Sequence, residues 1–286
     1  MILRLWELAT HWGVRALGFR STYAETPVGR VHAMVREDGG PLPDLVLIHG
    51  ISANHGHWLR VLWYLRGHFR RIVVIDLPAH GHSDTPETID GESLRKGLLA
   101  AASAWFDRPV LVVGNSLGGL AAYRFAVEMP ERVMALYLNS PGGAREELSV
   151  FSAWAEGFRP RSLADGARFV DRLHVRSPWY RWIIAPFVIA KVWSRPVQQI
   201  LATIQPEDFA DATLVRGIRV PVRLVWGSAD TLLPAHHFTW WRDAMPEGAE
   251  VAVPVMGHCP YLDTPAEFAA DVVSFARRVE EVRCRQ

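Results

Sequence analysis

Short apolar runs bounded by turn residues alternate with longer amphipathic stretches through most of the chain. Leu45-Val46-Leu47-Ile48, Arg71–Ile75, Val110–Val113 and Arg132–Leu138 are too short and too uniformly apolar for surface helices. They predict strands buried on both faces. Val220–Trp226 and Glu250–Val255 repeat the signal nearer the C-terminus. Upstream, Ser21–Glu25 and Arg30–Arg36 flank Thr26-Pro27-Val28-Gly29 and predict an antiparallel hairpin. Helical spacing follows several of these strands: through Trp58, Leu62 and Leu65, over Ser93–Phe106, after Ser116, over Pro234–Met245 and over Pro265–Val282. Strands alternating with helices imply an α/β fold, a mostly parallel sheet with helices on both faces. In such sheets reactive groups collect at the carboxyl ends of the strands.

Two regions depart from that alternation. Residues 2–19 carry apolar side chains at Leu5, Leu8, Trp12, Ala16 and Phe19, widened by Leu3 and Trp6, which predicts a helix. Its stripe is expected to pack on its own domain or on a subunit. A weak membrane-surface contact is the alternative, because bulky aromatics beside arginines also suit a bilayer interface. From Pro141 to Asp211 only helix-like pieces rich in tryptophan and arginine are found. Residues 179–193 are apolar almost all round, so burial on more than one side is expected there.

Composition narrows the class without naming a chemistry. With 286 residues, 49% hydrophobic and 21% charged, the chain has material for a sizeable core. A net charge of +1 gives no global drive toward nucleic acid. Cys259 and Cys284 cannot build a disulfide framework, and no CxxC pair marks a metal or redox site. Arg4, Glu7 and Arg15 interrupt the N-terminal apolar stretch, and Trp182–Val192 is too short to span a bilayer. A cytoplasmic protein in a reducing compartment is expected.

Chemistry enters at Gly114-Asn115-Ser116-Leu117-Gly118, a G-x-S-x-G segment between a predicted strand and a predicted helix. A serine there sits on a sharp, strained turn with its hydroxyl exposed, and glycines two residues either side let strand and helix approach. A free hydroxyl is a poor nucleophile at neutral pH; it needs an imidazole to take its proton and a carboxylate to orient that imidazole. Asp230, in Gly227-Ser228-Ala229-Asp230, and His258, in Met256-Gly257-His258, each follow a later predicted strand. Asp208, Asp211 and Asp243 compete for the acid role, but only Asp230 lies three residues beyond a buried strand. Ser116 as nucleophile, His258 as proton shuttle and Asp230 as orienting acid are the expected catalytic set. The backbone N–H groups of Leu117 and Ile51 are the expected oxyanion donors, each typically contributing ~2.7–4 kcal/mol to the barrier.

Leu47-Ile48-His49-Gly50, Asp76-Leu77-Pro78-Ala79-His80-Gly81-His82-Ser83, Gly114–Gly119, Gly227–Asp230 and Gly257-His258 together resemble the α/β-hydrolase superfamily. The resemblance is to its serine esterase, lipase and carbon–carbon hydrolase group. It implies an eight-stranded, mostly parallel sheet flanked by helices, with a core of residues 1–140 and 212–286 and a helical cap or lid of residues 141–211 after the sixth strand. It implies a serine hydrolase of the carboxylesterase or lipase type, cleaving a small hydrophobic ester through an acyl-enzyme with no metal and no organic cofactor. A serine at the elbow argues against the dehalogenases and epoxide hydrolases of the superfamily, which use aspartate there. Ring-cleavage hydrolases resemble the chain in Gly-Asn-Ser-x-Gly-Gly but usually carry a glycine-rich loop where this chain has Ile51-Ser52-Ala53-Asn54. Esterases acting on acyl carrier proteins share the architecture and lid arginines, yet usually have tryptophan where this chain has Asn115. A carbon–carbon bond hydrolase, a carrier-protein ester hydrolase and, outside enzymes, a ligand receptor of the same fold remain the alternatives.

Other chemistry-bearing residues read as structural. His80-Gly81-His82-Ser83-Asp84 looks like a two-metal motif, but Thr85 stands where a further ligand is needed. His49, His55 and His57 are expected to shape loops, and Cys259 has no base of its own. In the lid, Trp154, Trp179, Trp182 and Phe187 are candidates for an apolar pocket. Eight basic residues against three acidic ones between Glu156 and Gln205 suit either a solvated surface or an anionic substrate tail.

Overall fold

The computed structural model describes the backbone of residues 2–285 and the side chains from residue 6 to 285. Helix α1 (Ile2–Ala16) leads into strands β1 (Arg20–Thr26), β2 (Gly29–Glu37) and β3 (Leu45–Ile48). Then come α2 (Leu59–Leu65), β4 (Arg71–Ile75), α3 (Gly91–Trp105), β5 (Val110–Asn115), α4 (Leu117–Glu128) and β6 (Val133–Asn139). Five helices follow without a strand: α5 (Leu148–Ala155), α6 (Leu163–Leu173), α7 (Arg181–Val192), α8 (Arg195–Thr203) and α9 (Ala212–Arg216). The chain closes with β7 (Val222–Val225), α10 (Ala235–Ala244), β8 (Glu250–Ala252), α11 (Pro260–Asp263) and α12 (Pro265–Arg283).

The eight strands form one sheet in the order β1-β2-β4-β3-β5-β6-β7-β8. β2 is antiparallel to both its neighbours, and every pair from β4 to β8 is parallel. This is the α/β-hydrolase architecture that the motifs imply. Alternate residues of each strand serve opposite faces, as the period-two geometry of a strand requires. Val46, Ile48, Val73, Ile75, Val110 and Val112 join the core under α3 and α4, while Leu45, Leu47, Ile72, Val74, Leu111 and Val113 join the core under α2 and α12. Each such side chain stabilises the fold by roughly 1.5–3 kcal/mol on burial. Asp90 starts α3 two residues earlier than its apolar spacing shows, by accepting from the Ser93 amide at 2.8 Å.

Helix α1 turns out differently from its expected stripe. Val14 is fully buried, with His11 and, just past the helix, Leu17 and Phe19, whereas Trp6 and Trp12 are each 62% exposed and Leu8 projects outward too. The side chains of Leu3 and Leu5 lie outside the described residues. The helix carries apolar residues on two faces, and contacts made elsewhere in the chain select which one packs. His11 Nδ1 lies 3.1 Å from His55 Nε2 on the inner side, and Lys191 of α7 pairs with Glu7. Residues 179–193 also depart from expectation. Only Ala185 and Val192 of α7 are buried, while Trp179, Trp182 and Ile183 face solvent, because α7 is an outer layer packed on α6. No helix among the described residues is long and apolar enough to cross a membrane.

Candidate active site

Ser116 sits between the last residue of β5 and the first of α4, at φ 55° and ψ −120°. That conformation costs a non-glycine residue roughly 1–3 kcal/mol. It persists because the turn is held on both sides. The Ser116 amide donates to Asn139 O at 3.1 Å, and its carbonyl accepts from Gly119, Leu120 and Gly142. Side chains are excluded at the crossing: a Cβ on Gly114 would overlap the Gly118 carbonyl, and one on Gly118 would overlap the carbonyls of Ile48 and His49. The serine is 7% exposed, at the carboxyl edge of the sheet.

His258 and Asp230 lie side by side. His258 Nδ1 lies 2.8 Å from Asp230 Oδ2, with both side chains buried. The other carboxylate oxygen accepts from the amides of Leu232 at 2.9 Å and Leu233 at 3.2 Å. Burial alone would raise the Asp230 pKa; the His258 interaction and the Leu233 amide outweigh it and hold the carboxyl below its ordinary value. Among the competing acids, Asp211 caps α9 and Asp208 pairs with the Gln205 amide, so neither is directed at His258. Ser116 Oγ makes no hydrogen bond among the described residues. The amides of Ile51 and Leu117 likewise donate to no described residue, which leaves both free at the edge where Ser116 stands.

The sequence reading missed Asn115. Its Nδ2 donates to the His258 carbonyl at 3.1 Å and to the Asn139 carbonyl at 3.3 Å, and its Oδ1 accepts from Tyr261 at 3.0 Å. Asn139 adds a second donor to the His258 carbonyl at 3.3 Å. Two buried asparagines at the ends of β5 and β6 thus tie the histidine loop to the elbow. The signal was the unusual Asn before the serine, but its partner lies more than a hundred positions away.

The helical insertion reaches both loops. Arg172 of α6 donates to the carbonyls of Thr231 and Leu232 at 3.0 Å each, and Trp154 Nε1 donates to Leu232 O at 2.8 Å. On the other loop, the Cys259 amide donates to Leu173 O, and His174 pairs with Asp263. Trp154 packs with Ile51 against a small core of Phe158, Phe169, Val192, Val197 and Leu232. Phe187 is half-buried, and Trp179 and Trp182 are 85% and 53% exposed. A cavity of about 350 Å³ opens instead between α3, α4 and α8, lined by Leu77, Leu94, Leu98, Leu117, Leu120 and Ile200 among others. Of the site residues only Leu117 borders it. A second hollow, of about 400 Å³, lies on the insertion among Arg159, Arg161, Arg168 and Arg172. Arg159 and Arg168 there are already paired with Glu156 and Asp165.

His49, His55, His57 and His80 hold loops in place. His49 accepts from the Leu77 amide through Nε2 at 3.1 Å and bonds Gly50 O through Nδ1, which locks the ends of β3 and β4 together. His55 sits on Asp76 at 2.8 Å, and His57 closes a capping box with Asn54. His80 bonds Pro78 O within its own turn. Burial pushes the Cys259 thiol up to about 12, so it is inert at neutral pH.

This chain belongs to the alpha/beta hydrolase family, whose model matches residues 45–271. It is 30% identical over 251 residues to a pimeloyl-acyl-carrier-protein methyl ester esterase of Vibrio vulnificus, an alignment covering 83% of this chain and 95% of the relative. A crystal structure of a membrane phospholipase A superposes with a TM-score of 0.80 at 23% identity, covering 98% of this chain and 93% of the other. The 2-hydroxy-6-oxo-6-phenylhexa-2,4-dienoate hydrolase of a Rhodococcus strain superposes with a TM-score of 0.73 at 19% identity, covering 91% and 99%. At these identities the two structures speak to the fold. Family and esterase relatives together support an enzyme that hydrolyses its substrate.

Proposed function

We propose that the chain is a serine hydrolase cleaving a hydrophobic carboxylic ester through an acyl-enzyme. Ser116 Oγ attacks the ester carbonyl while His258 Nε2 takes its proton. Asp230, bonded to Nδ1, fixes the ring tautomer and stabilises the imidazolium. The amides of Ile51 and Leu117 receive the oxyanion, and Leu117 does so at the positive end of α4. His258 then protonates the departing alcohol, and a water activated by the same imidazole releases the acid. The observation that carries this reading is the strained Ser116 elbow beside a buried, hydrogen-bonded His258–Asp230 pair.

In this reading the insertion of residues 141–211, with α5–α8, is a lid, since it contacts the histidine loop and the acid loop at once. The apolar cavity beside Leu117 suits the acyl chain. A carrier-borne ester is the second reading, favoured by the relatives' activity and by the arginine-lined hollow on the insertion. Purified protein with p-nitrophenyl esters of graded chain length, alongside a fluorophosphonate probe, tests the proposal. Turnover that rises with acyl length, together with labelling, supports it; neither turnover nor labelling overturns it.

A further inference from the structure

Two trios of histidine and carboxylate side chains bring their ligand atoms within 4.8 Å of one another among the described residues. They differ in what their atoms are already doing. In the first, His32, His55 and Asp76, every group is satisfied. Asp76 accepts from both rings at 2.8 Å and from the amides of His55 and His82; Ser21 lies on His32 Nε2, and His11 on His55 Nε2. No lone pair there is left for a ligand.

The second trio is open. Glu146 lies between β6 and α5, where the insertion leaves the sheet, and His236 and His237 lie in the first turn of α10. Glu146 Oε2 is 2.9 Å from His236 Nε2 and 3.1 Å from His237 Nε2. The Glu146 and His237 side chains are each 4% exposed. Oε2 is thus shared between the two rings, but Glu146 Oε1 and His237 Nδ1 have no partner among the described residues, and His237 Nε2 meets Oε2 without the alignment of a hydrogen bond. A buried carboxylate and a buried imidazole left in that state call for a ligand that takes electron pairs from both.

We propose that Glu146, His236 and His237 form a zinc-class metal site clipping the stem of the insertion to α10. Two imidazoles and one carboxylate are a donor set suited to zinc. Tetrahedral zinc holds such ligand atoms about 3.3 Å apart, a few tenths of an ångström beyond the two distances from Glu146 Oε2, and all three ligand atoms already lie within 4.8 Å of one another. The two rings stand at 84° to one another around the shared carboxylate oxygen. His236, 52% exposed, gives the ion an entry path and leaves a position for water. The ion joins the base of the insertion to the helix that follows the Asp230 turn, and it touches no reacting group.

Chelator-treated full-length protein titrated with zinc(II) or cobalt(II) provides the test, read by calorimetry and by the visible absorption of tetrahedral cobalt. One equivalent should bind saturably and raise the melting temperature. Glu146→Gln and His236→Gln should each weaken binding by at least about tenfold, and His11→Gln, in the closed trio's network, should not. Because His236 is half exposed, its variant keeps the test valid even where the buried Glu146 variant folds poorly. Absence of saturable binding overturns the proposal. So does binding that survives His236→Gln unchanged or that is lost in His11→Gln instead.

Discussion

Asn115 Nδ2 donates to the main-chain carbonyl of His258 over 3.1 Å, so the residue before the proposed nucleophile holds the loop of its proposed base. Asn115→Ala removes this bond, the companion bond to Asn139 O and the acceptor for Tyr261. The variant should lose about 1–3 kcal/mol of stability and, through a misplaced imidazole, roughly 10²-fold in kcat. Steady-state kinetics on a p-nitrophenyl ester and thermal melts check this; an unchanged kcat would show that the loop needs no such tether.

Arg172 and Arg176 should separate. Arg172 is engaged with the carbonyls of Thr231 and Leu232, whereas Arg176 is exposed. Arg172→Gln should therefore lower kcat/KM for neutral and anionic esters alike, by loosening α6 from the acid loop. Arg176→Gln should raise KM for carboxylate-bearing esters and leave neutral esters unchanged. Paired measurements on neutral and carboxylate-bearing esters decide. A purely anion-selective effect at Arg172 would overturn its assignment as a positioning residue.

The orientation of α1 is testable by two substitutions. Val14→Ala cuts a fully buried side chain and should cost on the order of 2 kcal/mol. Trp12→Ser removes a larger but 62% exposed side chain and should stay within about 0.5 kcal/mol. Urea unfolding of both variants provides the comparison, and the reverse ranking would put the other face of the helix against the core.

Acid should destabilise the fold in two stages. Burial lowers His49 from 6.5 to about 3 and His80 from 6.5 to about 4. Both rings are neutral in the folded chain, so below 6.5 the unfolded chain binds more protons and stability falls as pH drops toward those folded values. The loss is on the order of a few kcal/mol for each buried ring. Burial would raise the Asp76 pKa, but the bonds from His32 and His55 outweigh it and hold the carboxyl well below 3.8. Its contribution is present above 3.8 and is lost below it. A melting temperature that falls steadily from pH 7 to 4 is expected; one that holds level or rises contradicts these environments.

The sheet was legible because its parallel strands are buried on both faces, which leaves uninterrupted apolar runs such as Leu45–Ile48 and Val110–Val113. The Gly-x-Ser-x-Gly turn was legible for a related reason, since only glycine fits where Gly118 meets the Ile48 carbonyl. The burial of the insertion was not. Its helices form an outer layer, so the apolar surface of Trp179 and Trp182 faces solvent and composition alone misjudged its burial. Helix α1 misled in the same way, with two apolar faces and a choice fixed by His55 and Lys191 far along the chain. The meeting of Asn115 with His258, like that of Glu146 with His237, depends on topology that no local pattern records.

Ser116 should become acylated during turnover, with His258 as its base. Mass spectrometry of the protein quenched during turnover of a slow p-nitrophenyl ester tests it most directly, with Ser116→Ala run in parallel. The account predicts an acyl adduct on the peptide bearing Ser116, and a loss on the order of 10⁶ in kcat for the variant. An adduct on another residue, or a variant that keeps most of its rate, would contradict it.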